Sequence, residues 1–221
     1  MNNIDSQYQT LLYDIITNGV EKQTRNGKVI STFGRQIHHK MSEGFPLLTT
    51  KKMYWKGICT ELLWFLRGDT NIKFLVDNDC HIWDGDAYKR FHQSFPEAEM
   101  LSKEDFINKI KNDDEFAEKW GELGPIYGKQ WREWKYETTD WYDGHTYHDS
   151  EFKSIDQIAN SINLLKTDPD SRRNRVSAWN VGELDQMTLP PCHTDFQFYT
   201  RELSVKDRLE LYINRVIDRK S

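Results

Sequence analysis

The sequence predicts an α+β protein, because segments with the apolar period of a helix occur beside a segment with the period of a strand. The helical spacing occurs in three segments: residues 5–18, 55–66 and 154–167. Residues 192–200 instead alternate, with Phe196, Phe198 and Thr200 on one face of a predicted strand. A chain of 221 residues and 26.4 kDa is long enough to bury one core, so we expect a single domain over residues 1–221.

Composition excludes several classes of protein. The formal net charge of -5 and the pI near 5.8 argue against a general nucleic-acid binder, which usually carries a basic excess. The cysteines, Cys59, Cys80 and Cys192, are widely spaced and lack a CxxC motif, which argues against a disulfide framework or a metal site. No signal peptide and no apolar run of membrane-spanning length is present. These features favour a cytoplasmic protein without a membrane partner.

The first elements are an amphipathic helix and a broken strand. Asp5 is expected to cap the helix over residues 5–18, and Gly19 is expected to end it. A loop over residues 21–28 follows. It leads to a predicted strand from Val29 to Lys40 that Gly34 interrupts.

The most apolar helix is predicted for Trp55–Leu66, and its apolar residues cover most of its circumference. We therefore expect it to be buried all round, with Gly68 as its end and a second helix from Asp69 through Val76. Glu61 is the exception on this helix. A carboxylate in such surroundings is costly to bury without a partner, so it lies at a rim or serves chemistry.

The middle of the chain contains an insertion and a glycine-bracketed loop. Residues 85–120 are highly charged, and Ser102 with Asp105 forms a capping box for a helix in a small lobe without its own core. In GPIYGKQWR, residues 124–132, the two glycines predict that Tyr127 is presented on a tight loop.

Later segments read as a hairpin and two helices. Residues 135–153 predict a hairpin with its turn at Asp143-Gly144, a reading we favour over a metal site at the HxxH of the same segment. Ser154 and Gln157 form a capping box for the helix over residues 154–167. Ser204 and Asp207 are expected to cap a final helix.

Cys192 is a candidate nucleophile. It follows Pro190-Pro191, which stiffen the entry to the predicted strand. Upstream, DPDSRRNR supplies three arginines whose planar guanidinium groups suit a phosphate and favour ionisation of a nearby thiol: Arg172, Arg173 and Arg175. A lone cysteine is more commonly a small buried apolar residue. The arginines therefore carry the hypothesis of a thiolate beside a phosphate site.

Six blocks occur in order along the chain: TTKK, ELLWFLRGDTN, GPIYGKQWR, DPDSRR, VSAWNVGELD and LPPCH. Together they resemble thymidylate synthase from about Arg25 to Tyr199, with two lengthened loops. The resemblance implies a mixed β-sheet packed against helices, with a small helical insertion at about residues 85–120. It also implies that Cys192 is the nucleophile and that Glu61 and Tyr127 serve proton transfer.

The resemblance further implies two binding sites. Four residues match positions that bind the nucleotide in the family: Arg25, Arg172, Arg173 and His193. Trp83 matches a residue that lines the folate pocket, and Tyr54 occupies a variable position that often holds a folate contact. The implied substrates are deoxyuridine monophosphate and 5,10-methylenetetrahydrofolate, without a metal. In the family the arginine pair reaches into the neighbouring subunit, which implies a homodimer with shared active sites.

Two alternatives accompany this reading. A pyrimidine nucleotide hydroxymethylase of the same fold would use the same thiolate and folate, and an inactive fragment would retain only dimerisation or partial nucleotide binding. Family members continue well past the position of Ser221, with a further phosphate-binding arginine, the residue that reads the base and several strands. We therefore expect the 221-residue polypeptide alone to be poorly soluble and without measurable activity.

Overall fold

The computed structural model describes residues 3–24, 27–94, 101–142 and 146–218. Contacts divide the chain into two compact units, an N-terminal unit, Met1–Trp55, and a C-terminal unit, Lys56–Ser221. Arg25 and the predicted turn at Asp143-Gly144 lie outside the described residues. The prediction of a single domain stays a prediction.

The N-terminal unit contains a helix and a hairpin. Helix α1 spans Asn3–Asn18, and strands β1 (Val20–Thr24) and β2 (Gly27–Ser31) pair antiparallel. The predicted loop over residues 21–28 and the predicted strand Val29–Lys40 are therefore wrong in their bounds. Pairing places Val20 opposite Ser31, so β2 ends where its partner strand begins.

Asp5 does not cap α1, because the helix already begins at Asn3. Its side chain is only 1% exposed. The carboxylate accepts hydrogen bonds from the Thr49 backbone N–H, at 2.8 Å, and from the Thr49 hydroxyl. Both bonds favour the charged form, so they lower the pKa of Asp5 below its ordinary value, and the bond from the Thr49 hydroxyl has the largest effect. Asp5 thus fastens α1 to the segment around Thr49.

From Trp55 onward the described residues form eight α-helices: α2 (Trp55–Leu66), α3 (Lys73–Asp77), α4 (Asp84–Gln93), α5 (Lys103–Asn112), α6 (Asp114–Trp120), α7 (Tyr127–Arg132), α8 (Gln157–Thr167) and α9 (Val205–Asp218). They also form four strands: β3 (Trp134–Tyr142), β4 (Thr146–Ile155), β5 (Arg175–Ser177) and β6 (Asp195–Gln197). Strands β3 and β4 pair antiparallel, as do β5 and β6. The α+β class is confirmed, and the mixed sheet stays a prediction.

Helix α2 has the predicted bounds but is not buried all round. Trp64 and Phe65 are buried, whereas Leu62 and Leu63 are exposed on its other side. Gly68 follows the helix with φ of 76°, a conformation that glycine adopts without strain. The next helix, α3, begins at Lys73 and not at Asp69. The side chains of residues 69 and 71 accept hydrogen bonds from backbone N–H groups two residues ahead, which holds this stretch in a turn.

The insertion packs onto the main core through aromatic side chains. Ser102 caps α5 as predicted, since its hydroxyl accepts a hydrogen bond from the Asp105 N–H at 3.1 Å. Phe106 and Ile110 of α5 are fully buried and belong to the same cluster as Trp64 of α2. The insertion is therefore an extension of the core of the C-terminal unit.

Two further predictions, the cap of α8 and the length of the strand after Cys192, need correction, and two others are confirmed. Ser154 lies in β4, and Asp156 caps α8 by accepting a hydrogen bond from the Ala159 N–H at 2.9 Å. The predicted strand over residues 192–200 shrinks to the three residues of β6, because its partner β5 is equally short. The predicted hairpin forms as β3 and β4, and Ser204 caps α9. Within the described residues, no helix is long and apolar enough to cross a membrane.

Candidate active site

Cys192 lies on a fixed turn just before β6. The turn follows Pro190 and Pro191, and the Cys192 side chain is exposed. The backbone N–H groups of Cys192 and His193 both donate to the Tyr127 hydroxyl oxygen, at 2.7 and 3.2 Å. A single phenol oxygen therefore holds two successive amides of the turn, and it fixes the backbone from which the thiol projects.

Tyr127 is the first residue of helix α7 and does not lie on a tight loop as predicted. The bracketing glycines have another use. A Cβ atom at Gly128 would lie 2.5 Å from the carbonyl oxygen of Asp69, so only glycine lets α7 approach the turn after α2 this closely. The Tyr127 ring packs against Phe65 of α2, with 4.5 Å between centroids, and against Trp83 at 6.2 Å. Helix α7 is thereby docked where its first side chain reaches Cys192.

The pKa of Tyr127 is raised above its ordinary value. Burial is the largest cause, because it disfavours the phenolate, and it outweighs the hydrogen bonds from the His193 and Cys192 amides, which act in the opposite direction. The phenol therefore stays protonated at neutral pH. Its oxygen already accepts two hydrogen bonds, so the remaining capacity of the hydroxyl is to donate one.

Glu61 has a partner of its own. The indole N–H of Trp83 donates to a carboxylate oxygen of Glu61 at 2.7 Å. Trp83 is only 5% exposed, and its ring packs against Trp64 of α2 at 5.9 Å. Glu61 is half-buried. The bond satisfies one carboxylate oxygen and orients the group, which explains how a glutamate is tolerated on so apolar a helix.

A series of contacts joins the three predicted catalytic residues, Glu61, Tyr127 and Cys192. Glu61 bonds to Trp83, the Trp83 ring contacts the Tyr127 ring, and the Tyr127 hydroxyl bonds to the Cys192 turn. His193 joins this group, since its ring lies 5.9 Å from the Tyr127 ring. The structure thus brings together these five residues from four separate parts of the sequence.

The arginines are more dispersed. Arg172 and Arg173 are exposed in the turn between α8 and β5, and the Arg172 carbonyl accepts a hydrogen bond from the Gln197 side chain at 3.0 Å. Arg175 instead forms an ion pair with Asp195 across the β5–β6 pair. Tyr54 is exposed in the N-terminal unit.

Sequence reasoning missed two groups of polar residues near the site. His81 Nδ1 lies 2.8 Å from a carboxylate oxygen of buried Asp84, whose other oxygen has no hydrogen-bond partner among the described residues. Buried Gln130 of α7 bonds to the side chains of Asn180 and Glu183. Gln130 follows Tyr127 by three residues, which places both on one face of α7, and this spacing was the available signal. No cluster of three metal-ligating side chains occurs in the described part of the chain.

Comparison with known proteins gives a consistent result. The sequence model of the family described as thymidylate synthase matches residues 6–217. The chain is 44% identical to a thymidylate synthase of Mesoplasma florum and 45% identical to one of Mycoplasma mobile, over 207 residues in each case. Both matches cover 93% of this chain and 65% of the relative. A Mycoplasma pneumoniae thymidylate synthase is 43% identical over 89% of this chain and 62% of its own length. The chain therefore spans less than two thirds of the length of these relatives.

Proposed function

The chain belongs to the thymidylate synthase family, and from this premise we propose that it carries the nucleophile and the proton-transfer groups of a thymidylate synthase. The reaction converts deoxyuridine monophosphate to thymidine monophosphate, with 5,10-methylenetetrahydrofolate as co-substrate and dihydrofolate as product. The observation that supports the proposal most directly is the contact series from Glu61 through Trp83 and Tyr127 to the Cys192 turn. A thiol, a carboxylate and a phenol are the groups this chemistry requires.

Cys192 supplies the nucleophile in this proposal. Its thiolate adds to C6 of the uracil ring, and the electrons of the C5–C6 double bond move to give an enolate that is nucleophilic at C5. Covalent addition thereby divides one difficult substitution into two easier steps. Support comes from the exposed thiol and from the two amide bonds to Tyr127, which hold the turn in one position.

Glu61 and Tyr127 serve the proton steps. The adduct must lose its C5 proton before the thiolate can leave, and Glu61 accepts this proton, directly or through a water molecule. Trp83 holds the carboxylate through one oxygen and leaves the other to take part. The Tyr127 hydroxyl can donate a hydrogen bond but has no lone pair to spare, so its contribution is to orient water and the Cys192 turn.

The folate supplies the one-carbon unit and the hydride that converts it to a methyl group. Ile82, the neighbour of Trp83 in the sequence, is 51% exposed and offers apolar surface to such a ligand. Trp83 itself is largely buried and contributes chiefly by holding Glu61 through its indole N–H. Tyr54 is proposed as a further folate contact.

Arg25, Arg172 and Arg173 are proposed to bind the substrate phosphate, with His193 shaping the pocket beside Cys192. Guanidinium groups suit this role because they donate in pairs to phosphate oxygens. We place the enzyme in the cytoplasm, consistent with its widely spaced free cysteines.

The exposed position of Arg172 and Arg173 on a turn suits contact with a second subunit, so we propose a homodimer with shared sites. When each subunit is joined to the C-terminal part of the Mesoplasma florum relative, a Cys192→Ser subunit mixed with an Arg173→Gln subunit should recover part of the activity, because mixed dimers contain one site with both residues intact. Mixtures as inactive as either parent would place the arginines within their own subunit or outside the site.

Release of tritium from deoxyuridine monophosphate labelled at C5 tests the proposed function, because the label leaves when C5 of the C6 adduct loses its hydrogen. We expect tritium release from the chain joined to the part of the Mesoplasma florum relative that follows the matched region. We also expect dihydrofolate formation, measured as absorbance at about 340 nm. The 221-residue chain alone is measured beside it as the reference. Absence of release from the joined protein would contradict the proposal.

A further inference from the structure

Helix α7 contacts two segments that converge on the site, one at each end. At its first residue, Tyr127 holds the amides of Cys192 and His193. One turn later, Gln130 reaches the segment that follows strand β5. Because α7 is a single hydrogen-bonded unit, a displacement at one end is transmitted to the other.

The side chain of Gln130 is fully buried at 0% exposure, and its hydrogen-bonding groups are engaged. Its amide nitrogen donates to the Pro125 carbonyl at 2.8 Å and to the Glu183 carboxylate at 2.6 Å. Its amide oxygen accepts from the Asn180 amide at 3.2 Å. Asn180 also donates to the same Glu183 oxygen, at 3.0 Å. These three side chains form a closed, part-buried group that we call the amide triangle: Gln130, Asn180 and Glu183.

Backbone contacts continue the connection. The Gln130 carbonyl accepts from the Gln157 side chain at 2.7 Å, and the same Gln157 side chain bonds to both the N–H and the carbonyl of Ser177 in β5. Strand β5 in turn pairs with β6, which begins three residues after Cys192. The Cys192 turn is therefore held from both sides, by Tyr127 and by the strand pair.

We propose that Gln130 is a positioning residue for the Cys192 nucleophile, acting through the amide triangle and helix α7. The triangle fixes the axial position of α7 against residues 180–183, and α7 then sets the height at which the Tyr127 hydroxyl meets the two amides. The role of Cys192 as nucleophile rests on the proposed function, whereas the mechanical connection can be measured without turnover.

Amide hydrogen exchange in the chain joined to the Mesoplasma florum segment gives a local readout. The stretch Pro190–His193 contains only two backbone N–H groups, those of Cys192 and His193, because proline has none. Both are the groups that bond to Tyr127. Tyr127→Phe removes the acceptor, so it should accelerate exchange at both amides by about 10-fold, close to the contribution of one hydrogen bond.

Gln130→Glu is the decisive variant, because it places a second carboxylate against Glu183 while keeping the side chain's shape. We expect exchange at the Cys192 and His193 amides to accelerate by about 5-fold or more, although residue 130 touches neither. Adding Glu183→Gln should restore part of the protection, since residue 183 can then donate to residue 130 and the net charge returns, while the Pro125 carbonyl still lacks its donor. Adding Asp185→Asn removes an equal charge from an exposed neighbour, so it should restore nothing.

The exchange rates of the Phe106 and Ile110 amides in α5 distinguish a positioning effect from a general loss of stability. Both residues lie in the core of the same unit, so in every variant their amides should accelerate less than the amides of Cys192 and His193. Three results would each overturn the proposal. The first is equal acceleration at the amides of Phe106 and Ile110, and the second is unchanged exchange at Cys192 and His193 in Gln130→Glu. The third is an equal effect of the two second-site changes. If Gln130→Glu does not fold, Asn180→Ala carries the test, because it removes two donors of the triangle and should accelerate the same two amides. A failure of the proposed function would leave these results unchanged.

Discussion

Replacing Cys192 with serine is expected to lower tritium release by about 10⁴-fold or more, a loss typical of removing a covalent nucleophile. A serine hydroxyl is far less acidic than a thiol, so it does not supply the anion that adds to C6. The two amide bonds from the turn to Tyr127 do not involve the side chain and should persist. The measurement is release from substrate labelled at C5, in the chain joined to the Mesoplasma florum segment.

Cys59→Ser is the matched control for this substitution. Cys59 is half-buried on α2, so the same change of sulfur to oxygen is made away from the turn. We expect the control to retain activity and the Cys192 variant to retain nucleotide binding, measured by calorimetry. Wild-type turnover by Cys192→Ser would exclude a covalent role for this residue.

Replacing Glu61 with glutamine is expected to lower the same rate by about 10²- to 10⁴-fold, the usual contribution of a positioned general base. The amide oxygen of glutamine can still accept the hydrogen bond from the Trp83 indole, so the local structure is retained. The amide cannot accept the C5 proton, because it is not basic. Substrate affinity should change little, and the loss should appear in kcat.

The variant Trp83→Phe distinguishes the effect of Glu61 orientation on the rate from the effect of Glu61 basicity. This change keeps an aromatic ring against Trp64 and Tyr127 but removes the indole donor, so it should cost less activity than Glu61→Gln. A variant Glu61→Gln with undiminished kcat would show that another group takes the proton. A larger loss from Trp83→Phe than from Glu61→Gln would show that Trp83 acts in another way than through Glu61.

The helices with long apolar repeats were predictable from sequence, and their exact caps were less so. Helix α2 has the predicted bounds because twelve residues show a consistent apolar period. Ser154 and Asp156 are both acceptable cap residues two positions apart, and the choice depends on where strand β4 ends. Asp5 has the chemistry of a cap, but a partner 44 residues away uses its carboxylate.

The site shows the same limit. Cys192, Glu61 and Tyr127 could be selected from sequence blocks, whereas the bond between Tyr127 and Cys192 joins residues 65 positions apart. Helix α7 has only six residues, too few for periodicity to distinguish it from a glycine-bracketed loop. Gln130 was visible as a polar residue, but its partners are 50 and 53 positions away. Contacts of this length depend on the tertiary fold and leave no local pattern.

The bond between Asp5 and Thr49 makes the N-terminal unit sensitive to acid. The folded pKa of Asp5 lies below its unfolded value, so the stabilisation from the carboxylate is present above about pH 4 and is lost as the pH falls through the folded pKa. Protonation removes the charge that the Thr49 N–H and hydroxyl stabilise. The fastening of α1 to Thr49 therefore weakens in strongly acidic buffer, and elution or storage above about pH 4 keeps it in place.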